Sequence, residues 1–337
     1  MNHEIDLTKY NIRTDLVLDV VGSSPSTKVN TYEKDKIKVT SVYVDDDSSK
    51  LIGKKKGNYI TIEFDDITDS GNRKKVEDIF SLELEKIIEN IDGSILVVGL
   101  GNEGSTPDSL GPKVIKNILV TRYLFVLGEQ VEEGIREVSA ISPGVMADTG
   151  IETVDIISSV VSKIKPTLVI AVDALAASSI ERINKSIQIT DTGIHPGSGI
   201  GNMRKEISME TLGVPVIAIG VPTVVESSTI VYDTINYLFK HISYIKDNQS
   251  TNKLVFSRKN YKDKIKDKDL SMEEKKDVLG LLGELSDIDK MNLIEEVLNS
   301  LEYNMIVTPK EVDFQIDKLS TVIAGGINSV LHKIDVK

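Results

Sequence analysis

Two aspartates stand where an acid can do chemistry. Asp108 follows Ile95-Leu96-Val97-Val98-Gly99-Leu100-Gly101, and Asp173 follows Thr167-Leu168-Val169-Ile170-Ala171-Val172. Both runs are short, apolar and rich in β-branched residues, the pattern of strands buried on both faces. In open α/β sheets, ligands and reactions sit beyond the carboxyl ends of the strands. Either acid alone also reads as an N-cap for the helix that follows it. The same placement on two separate strands points instead to a shared cleft. Two neighbouring carboxylates cannot both ionise cheaply, so one keeps its proton while the other acts as a base. Such a pair can activate water against an amide and protonate the leaving nitrogen.

His195 is the third candidate, in the glycine-rich loop Asp191-Thr192-Gly193-Ile194-His195-Pro196-Gly197-Ser198-Gly199-Ile200-Gly201-Asn202. It reads either as a loop-shaping or helix-capping group or as a participant in the chemistry. Together with Asp108 and Asp173 it offers an alternative site for zinc or nickel, since imidazole and carboxylate both suit such ions. No His-Glu-x-x-His or paired-histidine helix supports that alternative, and no metal or other cofactor is expected. Asn102 and Asp191 are candidate supports beside the acids. Other templates fit poorly. Gly99-x-Gly101-x-x-Gly104 resembles a dinucleotide loop, but Thr106-Pro107 delays the helix and no acid closes a strand at the required distance. There is no Walker lysine, and no serine elbow in a strand-to-helix setting.

The elements that must position these groups alternate along the chain. Lys38–Val44 and Asn58–Phe64 carry strand periodicity and form a β-excursion at about 37–66, with the basic Gly53-Lys54-Lys55-Lys56-Gly57 as its solvated turn. Val20–Asp35 reads as a loop. Ser70–Asn90 is an amphipathic helix feeding the first buried strand. Helices follow at Thr153–Lys165, Ser178–Asn184 and Glu226–His241, and strands at Ser186–Thr190 and Gly213–Val224. The charged stretch at about 244–270 reads as a mobile loop, followed by helices over 271–333 that open on the capping box Ser271-Met272-Glu273-Glu274. Strands alternating with helices predict a three-layer α/β/α fold around a mostly parallel sheet.

Composition narrows the classes. The chain has 337 residues, a net charge of -12 and no cysteine, so disulfides, thiolate metal sites and cysteine nucleophiles are excluded. The acidic balance disfavours direct contact with nucleic acid and suits a soluble protein. The N-terminus lacks the apolar core of a signal peptide, and no run reaches membrane-helix length, so a cytoplasmic protein without a membrane partner is expected.

Several segments together resemble the germination protease (spore protease) family of endospore-forming bacteria. They are Arg13-Thr14-Asp15-Leu16, Val98-Gly99-Leu100-Gly101-Asn102, Thr106-Pro107-Asp108-Ser109-Leu110-Gly111-Pro112, Thr149-Gly150-Ile151-Glu152-Thr153, Val172-Asp173-Ala174-Leu175-Ala176, the Asp191–Asn202 loop, Ile217–Val225 and Val307-Thr308-Pro309-Lys310-Glu311-Val312-Asp313. The resemblance implies an endopeptidase that degrades small acid-soluble proteins coating spore DNA, made in the spore core as an inactive homotetrameric zymogen. It implies self-removal of a propeptide, residues 1–12, by a cut near Ile12 and Arg13, leaving a single peptidase domain over 13–337. The essential acids of the family map onto Asp108 and Asp173. The implied fold is similar to that of hydrogenase-maturing endopeptidases, whose corresponding cleft binds nickel. The family has been classed with both metallopeptidases and atypical aspartic peptidases, and the aspartic type is the one expected here. Ser109 and Ala147 depart from the alanine and glycine common at these positions.

Overall fold

In Ile37–Val44 the side chains alternate between faces, so that Ile37 and Val39 enter one apolar cluster and Val42 and Val44 another, while Lys38 and Tyr43 stay in solvent. The computed structural model describes residues 15–20, 28–197, 204–247 and 261–333, in two compact units. The expected propeptide, its cut at Ile12–Arg13 and residues 248–260 of the charged 244–270 stretch lie outside the described residues; on either side of these that stretch is helical, at 244–247 and 261–265, where a loop is expected.

The larger unit, 12–224 and 308–337, carries the sheet. Its strands are β1 (Lys28–Lys34), β2 (Ile37–Val44), β3 (Gly57–Glu63), β4 (Ile95–Gly99), β5 (Val138–Ile141), β6 (Leu168–Ala177), β7 (Ser186–Thr190) and β8 (Val216–Glu226), which continues into the other unit. They lie in the order β1-β2-β3-β7-β8-β6-β4-β5. β4 pairs parallel with both β5 and β6, with Gly99 opposite Val172. The β3–β7 and β7–β8 pairs are antiparallel, so the β-excursion is the continuation of the main sheet rather than an appendage. Helices cover it: α1 (Asp46–Ile52), α2 (Ser70–Ile88), α3 (Leu110–Ile115), α4 (Arg122–Leu127), α5 (Met146–Thr149), α6 (Thr153–Ile164), α7 (Met209–Leu212). Two apolar clusters show the layers. One packs α2, α3 and the helix Val312–Leu331 against Ile95, Val97, Ile170 and Val172; the other packs α6 against Leu96, Val98, Val169 and Ala171. Successive residues of β4 and β6 thus face opposite layers, as the unbroken apolar runs predict.

Two further expectations change. Lys28–Lys34, within the stretch read as a loop, is a strand with every residue exposed. It lacks an apolar face, so periodicity cannot reveal it; it is held by seven-residue pairing with β2 and by Tyr32, whose hydroxyl donates to the buried Glu83 at 2.7 Å. Ser178–Asn184 forms turns rather than a helix.

The smaller unit is described over 225–247 and 261–307. It holds α8 (Ser227–Asp247), α9 (Tyr261–Ile265), α10 (Met272–Leu279), α11 (Leu281–Glu284), α12 (Asp287–Ser300) and the short β9 (Ile306–Val307), paired with the last residues of β8. The capping box opens α10 as its spacing predicts: Ser271 Oγ accepts the Glu274 N–H and Glu274 Oε2 accepts the Ser271 N–H. Phe239 is buried with the ammonium groups of Lys275 and Lys290 at 5.5 and 5.9 Å from its ring centre. The chain returns to the larger unit as α13 (Val312–Leu331).

Candidate active site

The site is built where β4 stops beside β6. Pairing continues one step past the strand, the Leu100 N–H donating to the Val172 carbonyl at 2.8 Å. The chain then turns sharply through Gly101, whose φ of +106° and contact with the Asp108 carbonyl, 2.1 Å from where a Cβ would stand, both exclude a side chain. Thr106–Asp108 forms a single 3-10 turn opened by Pro107, and α3 follows. Gly111 lets this helix rest directly on the strand ends: a Cβ there would lie 2.2 Å from the Leu100 carbonyl oxygen and 2.7 Å from that of Val172. The approach brings Asp108 to the level of Asp173, the next residue of β6.

The two acids occupy different environments. Asp108 is half-buried and its Oδ2 accepts the Asn102 N–H at 2.8 Å. Burial raises its carboxyl above the usual carboxylate range, opposed by the Asn102 N–H and the Arg204 guanidinium. Asp173 is 5% exposed, and its Oδ1 accepts the Ala174 N–H at 2.9 Å. Its carboxyl is held well above the usual range, first by burial, then by the negative charge of Asp108, then by that of Asp15. One of the two is therefore suited to carry a proton and the other to accept one.

Asn102 supports Asp108 through its backbone, while its side chain accepts the Gly104 N–H at 2.7 Å and fixes the turn. The Asp191 carboxylate accepts the N–H and the side-chain amide of Asn58 at 2.8 and 2.7 Å, tying the start of β3 to the end of β7. His195 is exposed, with Nε2 3.5 Å from Glu206 Oε2. Among the described residues no group of three or more His, Asp or Glu side chains is gathered as metal ligands would be. The basic turn is less solvated than expected: Lys55 reaches Glu206 at 2.5 Å and Lys56 reaches Asp46 at 2.7 Å, while Lys54 is half-buried. Strand placement did not single out Arg204 or Asp15 as site residues. Arg204 lies in a segment with no regular periodicity, and Asp15 stands out only by its place in Arg13-Thr14-Asp15-Leu16.

A family profile described as germination protease matches residues 21–337. The chain is 48% identical to the germination protease of Bacillus licheniformis over 98% of its own length and 96% of that protein's. It is 46% identical to the germination protease of Priestia megaterium with the same coverage, and 46% identical to that of a Geobacillus species over 99% of this chain and 97% of that one. A crystal structure of the [NiFe] hydrogenase maturation protease HycI from Thermococcus kodakarensis aligns with a TM-score of 0.27 at 20% identity, covering 42% of this chain and 80% of the other.

Proposed function

The chain belongs to the germination protease family, and from that premise we propose that it is an endopeptidase of the aspartic type that initiates degradation of small acid-soluble DNA-protecting proteins during spore germination. The observation that carries the reading is a buried Asp173, whose carboxyl is pushed upward by burial and by the Asp108 charge, together with a half-buried Asp108 whose Oδ2 accepts the Asn102 N–H at 2.8 Å. In the proposed reaction, ionised Asp108 takes a proton from water as the water oxygen bonds to the peptide carbonyl carbon. Protonated Asp173 donates a hydrogen bond to the carbonyl oxygen as negative charge gathers there. When the C–N bond breaks, the proton taken by Asp108 passes to the leaving nitrogen, giving one acid and one amine.

The zymogen state, self-cleavage near Ile12–Arg13, assembly as a homotetramer and residence in the spore core are part of the same proposal and rest on family membership. Among the described residues no helix is long and apolar enough to cross a membrane.

The test is incubation of the purified full chain, and of a form starting at Arg13, with a small acid-soluble spore protein. Discrete fragments from the wild type, unaffected by chelator and absent with Asp173→Asn, are the expected result. No fragments from either wild-type form would overturn the endopeptidase reading. Activity lost to chelator and restored by one metal would overturn the aspartic one.

A further inference from the structure

Every residue of β6 is buried except Ala174, the one that follows Asp173. Along a strand, successive residues turn their backbone groups to opposite neighbours. The Val169 N–H donates to the Pro215 carbonyl just before β8, and the Val172 carbonyl accepts from Leu100 just after β4. Val172, Ala174 and Ala176 therefore all face the lane beside β6 that β4 occupies.

That lane is filled twice. β4 fills it up to the bond between the Leu100 N–H and the Val172 carbonyl, at 2.8 Å. The N-terminal segment fills it again at Ala176, whose carbonyl accepts the Asp15 N–H at 3.1 Å and whose N–H donates to Asp15 Oδ2 at 2.9 Å. This second plug is firmly held. The Gln188 amide donates to the Asp15 carbonyl at 3.3 Å and accepts the Val17 N–H at 2.8 Å, Asp19 Oδ2 accepts the Ser178 N–H at 2.9 Å, and Leu16 and Val17 are fully buried. From Val172 to Ala176 is roughly 13 Å at the usual rise per residue.

Ala174 is the rung left between the two plugs. Its N–H donates to Asp173 Oδ1 at 2.9 Å, which holds the carboxyl of that acid at this edge of the strand. Its carbonyl has no hydrogen-bond partner among the described residues. The lane closes on the β4 side at the Gly101 turn, where the Asp108 carboxylate also lies: a Cβ on Gly101 would stand 2.9 Å from Asp108 Oδ1. An open backbone acceptor on a strand edge is satisfied by another main chain.

We propose that an extended segment of the substrate pairs with β6 at this rung, and that the residue supplying the scissile carbonyl donates its N–H to the Ala174 carbonyl. In a hydrogen-bonded antiparallel pair the two residues face each other through both backbone groups. The carbonyl of the same substrate residue is thereby turned to the Ala174 N–H and the Asp173 carboxyl, with Asp108 at the β4 end of the lane. The backbone of Ala174 is then a substrate-binding group, and it selects against proline at the residue before the cut, because proline has no N–H to give. The proposal rests on the peptidase reading for which bond breaks, though not for where a peptide binds.

The experiment alters the peptide and leaves the enzyme intact. A short peptide spanning a cleavage site of a small acid-soluble spore protein is made with each backbone N–H in turn replaced by an ester oxygen or N-methylated, the scissile one excepted. kcat/KM is measured with the full chain and with the form starting at Arg13. Removing the N–H of the residue before the cut is expected to lower kcat/KM roughly 3–10-fold as the ester, the worth of one hydrogen bond, and further as the bulkier N-methyl compound. In parallel, the unaltered peptide is bound to Asp108→Asn enzyme, and NMR contacts from its backbone to the Ala174 amide and α protons are expected. A peptide that is cut but shows no contact to Ala174 and no dependence on that N–H overturns the docking lane and leaves the peptidase reading standing. Dependence on a different N–H, with contacts away from Ala174, overturns it equally. A peptide that contacts Ala174 and is cut by neither wild-type form supports the lane and sinks the peptidase reading.

Discussion

Leu100 and Val172 are joined by a backbone hydrogen bond of 2.8 Å one step past the last paired residue of β4. That extra rung fixes where the two chains part. β6 runs on with Asp173 as its next residue, while β4 turns away through Gly101 and returns as the turn bearing Asp108. The acid pair is thus a consequence of strand pairing and of two glycines, and each part of that statement can be tested.

Asp173→Asn should abolish cleavage and yet stabilise the fold at neutral pH. The proton-transfer role predicts a fall in kcat/KM of roughly 10²–10⁴-fold. The stability effect follows from linkage. The folded carboxyl binds its proton more tightly than the unfolded one, so the folded state holds more protons above the unfolded value, and stability falls as pH rises from there to the raised folded value. Asparagine removes that loss. Thermal melts should show the variant above the wild type at pH 7, at roughly 2–4 °C per kcal/mol, with the gap closing near pH 4. A variant less stable than the wild type at pH 7 would contradict the buried, proton-holding state of Asp173.

Arg204 lowers the Asp108 carboxyl toward the ionised form. Arg204→Gln should therefore raise it, and the acidic limb of the rate profile should move to higher pH while the alkaline limb stays. A profile measured from pH 4 to 8 checks this. An unmoved acidic limb would mean that Arg204 does not act on the base.

Much of this arrangement is legible in the sequence, and the illegible parts have physical reasons. Continuous apolar runs such as Leu168–Val172 reveal a strand covered on both faces, and an acid after each run marks the same rim. β1 leaves no such trace, because Lys28, Asn30 and Glu33 face water and its strand character comes from β2 and from Glu83. Asp15 is remote from β6 in the sequence, and only the folding of the N-terminal segment onto Ala176 places it beside that strand. The turn at Lys54-Lys55-Lys56 reads as solvated because its partners, Glu206 and Asp46, are distant in sequence or belong to no periodic pattern.

Tyr32 is the side-chain anchor of β1. Its hydroxyl donates to Glu83, which is 3% exposed and also meets Lys86 at 2.5 Å. Burial and the Glu83 carboxylate both push the phenol upward, so it stays a donor throughout the physiological range. Tyr32→Phe should cost about 1–3 kcal/mol, since it takes one partner from a buried carboxylate. Hydrogen exchange should speed up across Lys28–Lys34 while the amides of β4 and β6 are unchanged. Unaltered exchange in β1 would show that backbone pairing alone holds it.

Gly111→Ala is the sharpest test of how the acids are brought together. A Cβ at this position would stand 2.2 Å from the Leu100 carbonyl oxygen, 2.5 Å from its nitrogen and 2.7 Å from the Val172 carbonyl oxygen. All three are backbone atoms of paired strands, which cannot rotate aside, so the helix must lift instead. The expected cost is about 1–3 kcal/mol of stability, as for overpacked interiors. Activity should fall further than the loss of folded protein explains, because Asp108 sits on the turn that moves with the helix. Gly128→Ala is the control. Its φ of +70° makes alanine strained, by roughly 1–2 kcal/mol, but nothing lies within 4 Å of the new methyl group. That variant should lose comparable stability and keep its specific activity at temperatures where it is folded. If Gly111→Ala loses activity only in proportion to its unfolded fraction, the close seat of α3 on the strand ends is not what sets the acid pair.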